Sequence, residues 1–135
     1  MEDFQYFGLF LDKDTRDKLI SFIRTNINSS IIDYADKVFL DHCTLLHISQ
    51  LSGHTGLYYH LKAMIGREIP IKLVALGMSE KAFAFKVALP EQICVNKIPH
   101  IIIATYGGGK PVESNNITDW GPIKPIEIIT TLNKV

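Results

Sequence analysis

Short apolar runs punctuated by turn-forming residues dominate the chain, and two segments repeat at helical spacing instead. Residues 4–11 (FQYFGLFL) are aromatic-rich and brief, which predicts a strand. Asp12 and Asp14 then supply acidic helix-start signals. Residues 15–27 carry Leu19, Ile23 and Ile27 at four-residue spacing with Ile20 beside them, one face of an amphipathic helix. Turn formers at 28–30 end it. Residues 37–48 (KVFLDHCTLLHI) predict a second strand, 53–56 (GHTG) a loop, and 57–67 (LYYHLKAMIGR) a helix that Gly66 weakens at its end. Residues 71–78 and 82–89 flank Ser79, Glu80 and Lys81 as the arms of a hairpin. Residues 93–95 read as a short edge strand, and 98–105 (IPHIIIAT) as a strongly β-branched strand broken by three glycines at 107–109. Residues 111–120 read as irregular or a short helical turn, and 125–132 (PIEIITTL) as the final strand.

This order predicts an α+β fold with a mostly antiparallel sheet and outer helices. Two lobes, each contributing one central strand, fit it. At 135 residues the chain is expected to form one domain over 1–135, large enough to bury a core without staples. The 47% apolar content excludes a disordered chain. Charges balance at 14 Lys+Arg against 14 Asp+Glu, so the broad positive field that drives duplex DNA binding is missing. A nucleotide or an RNA end needs only a few local donors and stays open as a partner. Cys43 and Cys94 are the only cysteines, and Glu2, Asp3 and Asp12 spoil any leader pattern; both point to a reducing, cytoplasmic setting. No apolar run is long enough for a membrane span. Oligomeric state is not legible.

The candidate chemistry sits on two strands. In a regular strand over 37–48, Val38, Leu40, His42, Thr44 and Leu46 share one face, and Asp41, Cys43, Leu45 and His47 the other. An imidazole beside a small hydroxyl suits a phosphate: the ring moves a proton near neutral pH and the hydroxyl bonds a nonbridging oxygen. His100 stands among isoleucines, where a polar ring needs a partner or a cavity. On neighbouring strands, His42 and His100 can flank one phosphorus as general base and general acid, with no metal or other cofactor required.

These segments resemble the 2H phosphoesterase family, which carries two His-x-Thr/Ser motifs, each on a strand. His42-Cys43-Thr44-Leu45 matches the first in full, and Pro99-His100-Ile101-Ile102-Ile103 matches the second except at Ile102, where the family has Thr or Ser. Residues 6–11, 82–87 (AFAFKV) and 110–115 (KPVESN) resemble the family's opening strand, the strand before the second motif and the loop after it. That loop is similar to those of the RNA-repair and tRNA-ligase-type cyclic phosphodiesterases. The resemblance covers about 6–132. It implies a two-lobed fold with a central cleft, acting on a 2′,3′-cyclic phosphate RNA end or a 2′–5′ or cyclic oligonucleotide. His42 and His100 would be catalytic, and Thr44, Tyr6, Lys110 and the position of Ile102 would contact substrate. Ile102 cannot donate, so the alternative is a weakened nucleotide- or RNA-end-binding module. Ser114, Thr118 or Lys110 could supply a substitute donor.

Other residues carry blander readings. His42 and His100 could be hydrogen-bonded core histidines in an interaction domain. His47, His54 and His60 read as surface or structural, with His54 also able to line a cleft. Cys43 reads as a buried thiol. The spacings of Cys and His match no metal motif. The glycines at 107–109 with Lys110 read either as a flexible turn or as a rim approaching phosphate, and Tyr6 or Tyr106 could stack on a base. Trp120 reads as a packing anchor.

Overall fold

The computed structural model describes residues 4–135, so Glu2 and Asp3, used above against a leader, lie outside the described residues. The elements are β1 (Tyr6–Phe10), α1 (Lys13–Ile23), α2 (Ser30–Asp33), β2 (Lys37–Val38), β3 (His42–His47), α3 (Thr55–Met64), β4 (Glu68–Met78), β5 (Ala82–Ala88), β6 (His100–Thr105) and β7 (Asp119–Lys134). The strands pair in the order β6-β3-β1-β7-β4-β5, and β5 returns to β6, closing a six-stranded antiparallel ring. β2 runs beside β6 ahead of β3. Closure leaves no long unpaired edge in the ring. The architecture is therefore α+β with an antiparallel sheet.

Local chemistry sets the boundaries. Asp12 caps α1 by accepting the Thr15 N–H at 2.8 Å, so the helix begins at Lys13 rather than at Thr15. Its regular turn ends at Ile23 and loosens into a π-type turn over Arg24–Asn28, where the Asn26 amide donates back to the Phe22 carbonyl at 3.3 Å. Leu19 and Ile23 from α1, Ile31 and Ile32 from α2, and Tyr58, Leu61 and Met64 from α3 are buried in one core with Leu9, Cys43, Leu45, Phe85 and Ile101 of the sheet. Each large side chain so buried contributes roughly 1.5–3 kcal/mol.

Residues 93–95 and the final strand both depart from expectation. Residues 93–95 form no strand; the Val95 N–H makes one bond to the Leu45 carbonyl at 3.0 Å. β7 is longer than 125–132, because its register with β4 continues through Pro122 to the pair Met78–Asp119. The Trp120 ring lies against Gly77 of β4, where a Cβ would meet it at 2.4 Å. No helix is long and apolar enough to cross a membrane among the described residues.

Candidate active site

The strand expected over 37–48 departs from strict alternation twice. Between β2 and β3, Leu40 takes a left-handed backbone (φ 54°) that isoleucine-like and branched residues rarely adopt, and its side chain is fully buried. Arg16 of α1 holds this kink: its Nε donates to the Phe39 carbonyl at 2.8 Å and its Nη2 to the Val38 carbonyl at 3.2 Å. The second departure is a bulge. Phe7 of β1 pairs with Leu46 and Gly8 with Thr44, so Leu45 has no partner residue on β1, and Leu45 and Leu46 are both buried.

The faces follow from these breaks. His42 and Thr44 point into a cleft while Cys43 is buried, as alternation predicts. Leu40 and Leu46 do not join that face; both belong to the core. His47 was expected on the opposite face, yet the bulge inserts one residue and turns it into the same cleft. The apolar doublet Leu45–Leu46 was the available signal, since strict alternation would place a polar residue there.

β3 and β6 pair through Cys43 and Ile101. In that antiparallel register Thr44 lies across from His100 and His42 across from Ile102, so the two histidines are diagonal neighbours. All four side chains line one cleft of about 680 Å³ together with Tyr6 and Ser114. A second cavity of about 410 Å³, between α1 and β7, contains none of the candidate residues.

Each ring has a distinct environment. His42 Nε2 is 3.1 Å from Thr44 Oγ1. Its ring stacks against Tyr6 (centroids 4.8 Å apart) and Phe10 (5.2 Å). Gly8 makes this seat: a Cβ there would stand 3.2 Å from the Cys43 carbonyl oxygen and from Phe10, and 3.4 Å from His42. Burial holds the His42 pKa below its ordinary value, and nearby Asp41 only partly offsets this. Burial, and secondarily Asp41, push the Tyr6 hydroxyl upward. His100 Nδ1 is 2.8 Å from the Ile98 carbonyl and Nε2 is 2.9 Å from Ser114 Oγ, while Ser114 Oγ donates to the Pro111 carbonyl at 2.8 Å. Ser114 has one proton. It goes to the Pro111 carbonyl, so both His100 ring nitrogens face an oxygen lone pair, the Ile98 carbonyl at Nδ1 and Ser114 Oγ at Nε2.

The remaining candidates lie elsewhere. Lys110 and Thr118 are exposed and do not line the cleft, so Ser114 is the loop hydroxyl beside His100. The glycines at 107–109 form a tied turn rather than a phosphate rim: the Gly108 N–H donates to Asp36 at 2.8 Å and Lys81 to the Gly107 carbonyl at 3.1 Å. Tyr106 donates to the Ile31 carbonyl and packs on Phe83; burial pushes its pKa up to about 12. His54 is exposed and 2.9 Å from the Gln50 carbonyl, and His60 faces Glu91 at 3.2 Å. Cys43 and Cys94 are free and buried; the hydrogen bond between the thiols, then burial, keeps the Cys43 thiol protonated. Among the described residues, no group of three His, Cys, Asp or Glu side chains could hold a metal ion.

No family model matches the chain, and no curated protein matches it in sequence. Among solved structures, the crystal structure of a fungal RNA kinase is similar, with a TM-score of 0.59 and 18% identity over 85% of this chain. The chain spans about a third, 34%, of that protein's length. It therefore shares the fold of part of a fungal RNA kinase.

Proposed function

We propose that the chain is a metal-independent phosphodiesterase of the 2H phosphoesterase type, acting on a 2′,3′-cyclic phosphate RNA end or on a 2′–5′ or cyclic oligonucleotide. The observation that carries this reading is the diagonal placement of His42 and His100 on paired strands in one open cleft. Diagonal neighbours stand roughly 7–8 Å apart, which leaves room for one phosphate between the rings. The fold shared with part of a fungal RNA kinase supports an RNA-end substrate. On this reading β3 and β6 are the central strands of two lobes that flank the cleft.

The environments divide the labour. His42, kept neutral by burial, is the base. His100, whose two ring nitrogens face the oxygens of Ile98 and Ser114, is the acid. As water oxygen bonds to phosphorus, His42 takes its proton; the bond from phosphorus to the leaving ester oxygen breaks, and His100 protonates that oxygen. Solvent then resets both rings. Thr44 holds a nonbridging oxygen. Ile102 faces the same space without a donor, which favours as second reading a module that binds the nucleotide and turns it over poorly.

The test is hydrolysis of 2′,3′-cyclic nucleotides and cyclic-phosphate RNA ends by wild type, His42→Ala and His100→Ala. Each substitution should cost roughly 10²–10⁴ in rate with the fold intact, and EDTA should change nothing. Full turnover by both folded variants, or strict metal dependence, would overturn the mechanism. Tight binding without turnover by wild type would select the second reading.

A further inference from the structure

The cleft does not end at the histidine pair. It continues along β3 to His47, Ser49 and Gln50, with Gln5 and Asn96 also lining it. His47 is there because of the Leu45–Leu46 bulge, about 10 Å along the strand from Thr44. Tyr6 joins the two ends, since its backbone pairs with His47 while its ring stacks on His42.

The polarity of this end is fixed by its own hydrogen bonds. The Ser49 N–H donates to His47 Nδ1 at 3.1 Å, so Nδ1 is an acceptor and the ring proton sits on Nε2. The His47 N–H donates to Gln50 Oε1 at 3.0 Å, so the side-chain oxygen is engaged and the Gln50 NH2 group is left to donate. His47 Nε2 and the Gln50 NH2 group are thus the donors that two residues bring to the same end of the cleft. Lys37, the cleft's lysine, borders Phe39 near the kink instead, so this end suits an uncharged acceptor edge better than a second phosphate.

We propose that His47 and Gln50 form a base-reading subsite for the nucleoside whose phosphate lies between His42 and His100, selecting bases with two adjacent acceptors. Guanine offers O6 and N7, and cytosine O2 and N3. Adenine and uracil alternate acceptors with donors on the corresponding edges. The subsite rests on the phosphodiesterase reading for its substrate, and its test is separable from that reading.

Gln50→Glu is the discriminating variant, because it keeps an oxygen for the His47 N–H and removes the NH2 donors. Turnover of the four 2′,3′-cyclic nucleoside monophosphates and calorimetric binding of the four 3′-nucleoside monophosphates should be measured with wild type and variant. Wild type should favour guanosine and cytidine forms by about tenfold, the worth of one well-made hydrogen bond, and Gln50→Glu should erase the preference. Equal treatment of all four by wild type, a preference that survives Gln50→Glu, or no binding would overturn the subsite. Absence of turnover alone would count against the phosphodiesterase reading, and the binding series would still decide the subsite.

Discussion

Ile102 is the position where a single atom type should change the rate. It lies across from His42 and lines the cleft, so its side chain meets any phosphate held between the two rings. Threonine keeps the β-branch that suits a strand and replaces one apolar arm with a hydroxyl. The lost packing is that of a half-buried residue and should cost about 0.5–1.5 kcal/mol of stability, as for trimming Ile to Val. The gain is a hydrogen bond to an ionised oxygen, about 1.5–3 kcal/mol. If that bond strengthens as charge develops on phosphorus, it appears in kcat, at roughly ten- to a hundredfold; if it is equal in both states it appears in KM alone. Steady-state hydrolysis of a 2′,3′-cyclic nucleotide should be compared for wild type, Ile102→Thr and Ile102→Val. The valine variant has the same branching without the hydroxyl and should gain nothing. A folded Ile102→Thr protein with the rate of Ile102→Val would refute the claim that this position addresses the phosphate.

Two further outcomes follow from the seat of His42. Burial depresses its folded pKa below the ordinary 6.5, so the acidic limb of kcat/KM, read from a pH–rate profile, should fall below that value; a limb above it would contradict the assignment of His42 as base. The same shift means that the unfolded chain binds the proton more readily. His42 should therefore cost stability as pH drops below 6.5 toward its folded pKa, and denaturant melts from pH 7.5 to 5 should show a shallower loss for His42→Asn than for wild type. Gly8→Ala places a Cβ 3.2 Å from the Phe10 ring and from the Cys43 carbonyl, so it should shift the Phe10 ring that stacks on His42 and lower kcat at least tenfold while costing only about 1–3 kcal/mol. An unchanged rate in that variant would show that the His42 ring is not held from below.

Much of this arrangement is readable in the sequence, and the exceptions share a cause. The two histidine strands, the cap at Asp12 and the hairpin at Ser79 follow from local periodicity and turn chemistry. The orientation of His42 and Thr44 follows from alternation over three residues, a distance too short to accumulate error. His47 could not be placed that way, because a bulge between Thr44 and Leu46 reverses parity, and bulges arise from pairing with a partner strand. Leu40 is similar: its left-handed backbone is held by Arg16, which comes from a helix more than twenty positions away. Closure of the sheet depends on β5 meeting β6, a long-range pairing that a pattern of apolar residues does not encode. Ser114 was one of three loop candidates, and only the path of the loop brings it to His100. The glycines at 107–109 resemble a phosphate loop in composition, yet their amide is taken by Asp36, a contact across the fold.

Whether His42 and His100 grip one phosphate is read from crystals of the protein soaked with a nucleoside 2′- or 3′-monophosphate. Phosphate oxygens should lie within about 2.6–3.2 Å of both His42 Nε2 and His100 Nε2, with Thr44 Oγ1 on a third oxygen. A phosphate bound elsewhere on the molecule, or reaching one ring while the other stays engaged only with protein, would contradict it.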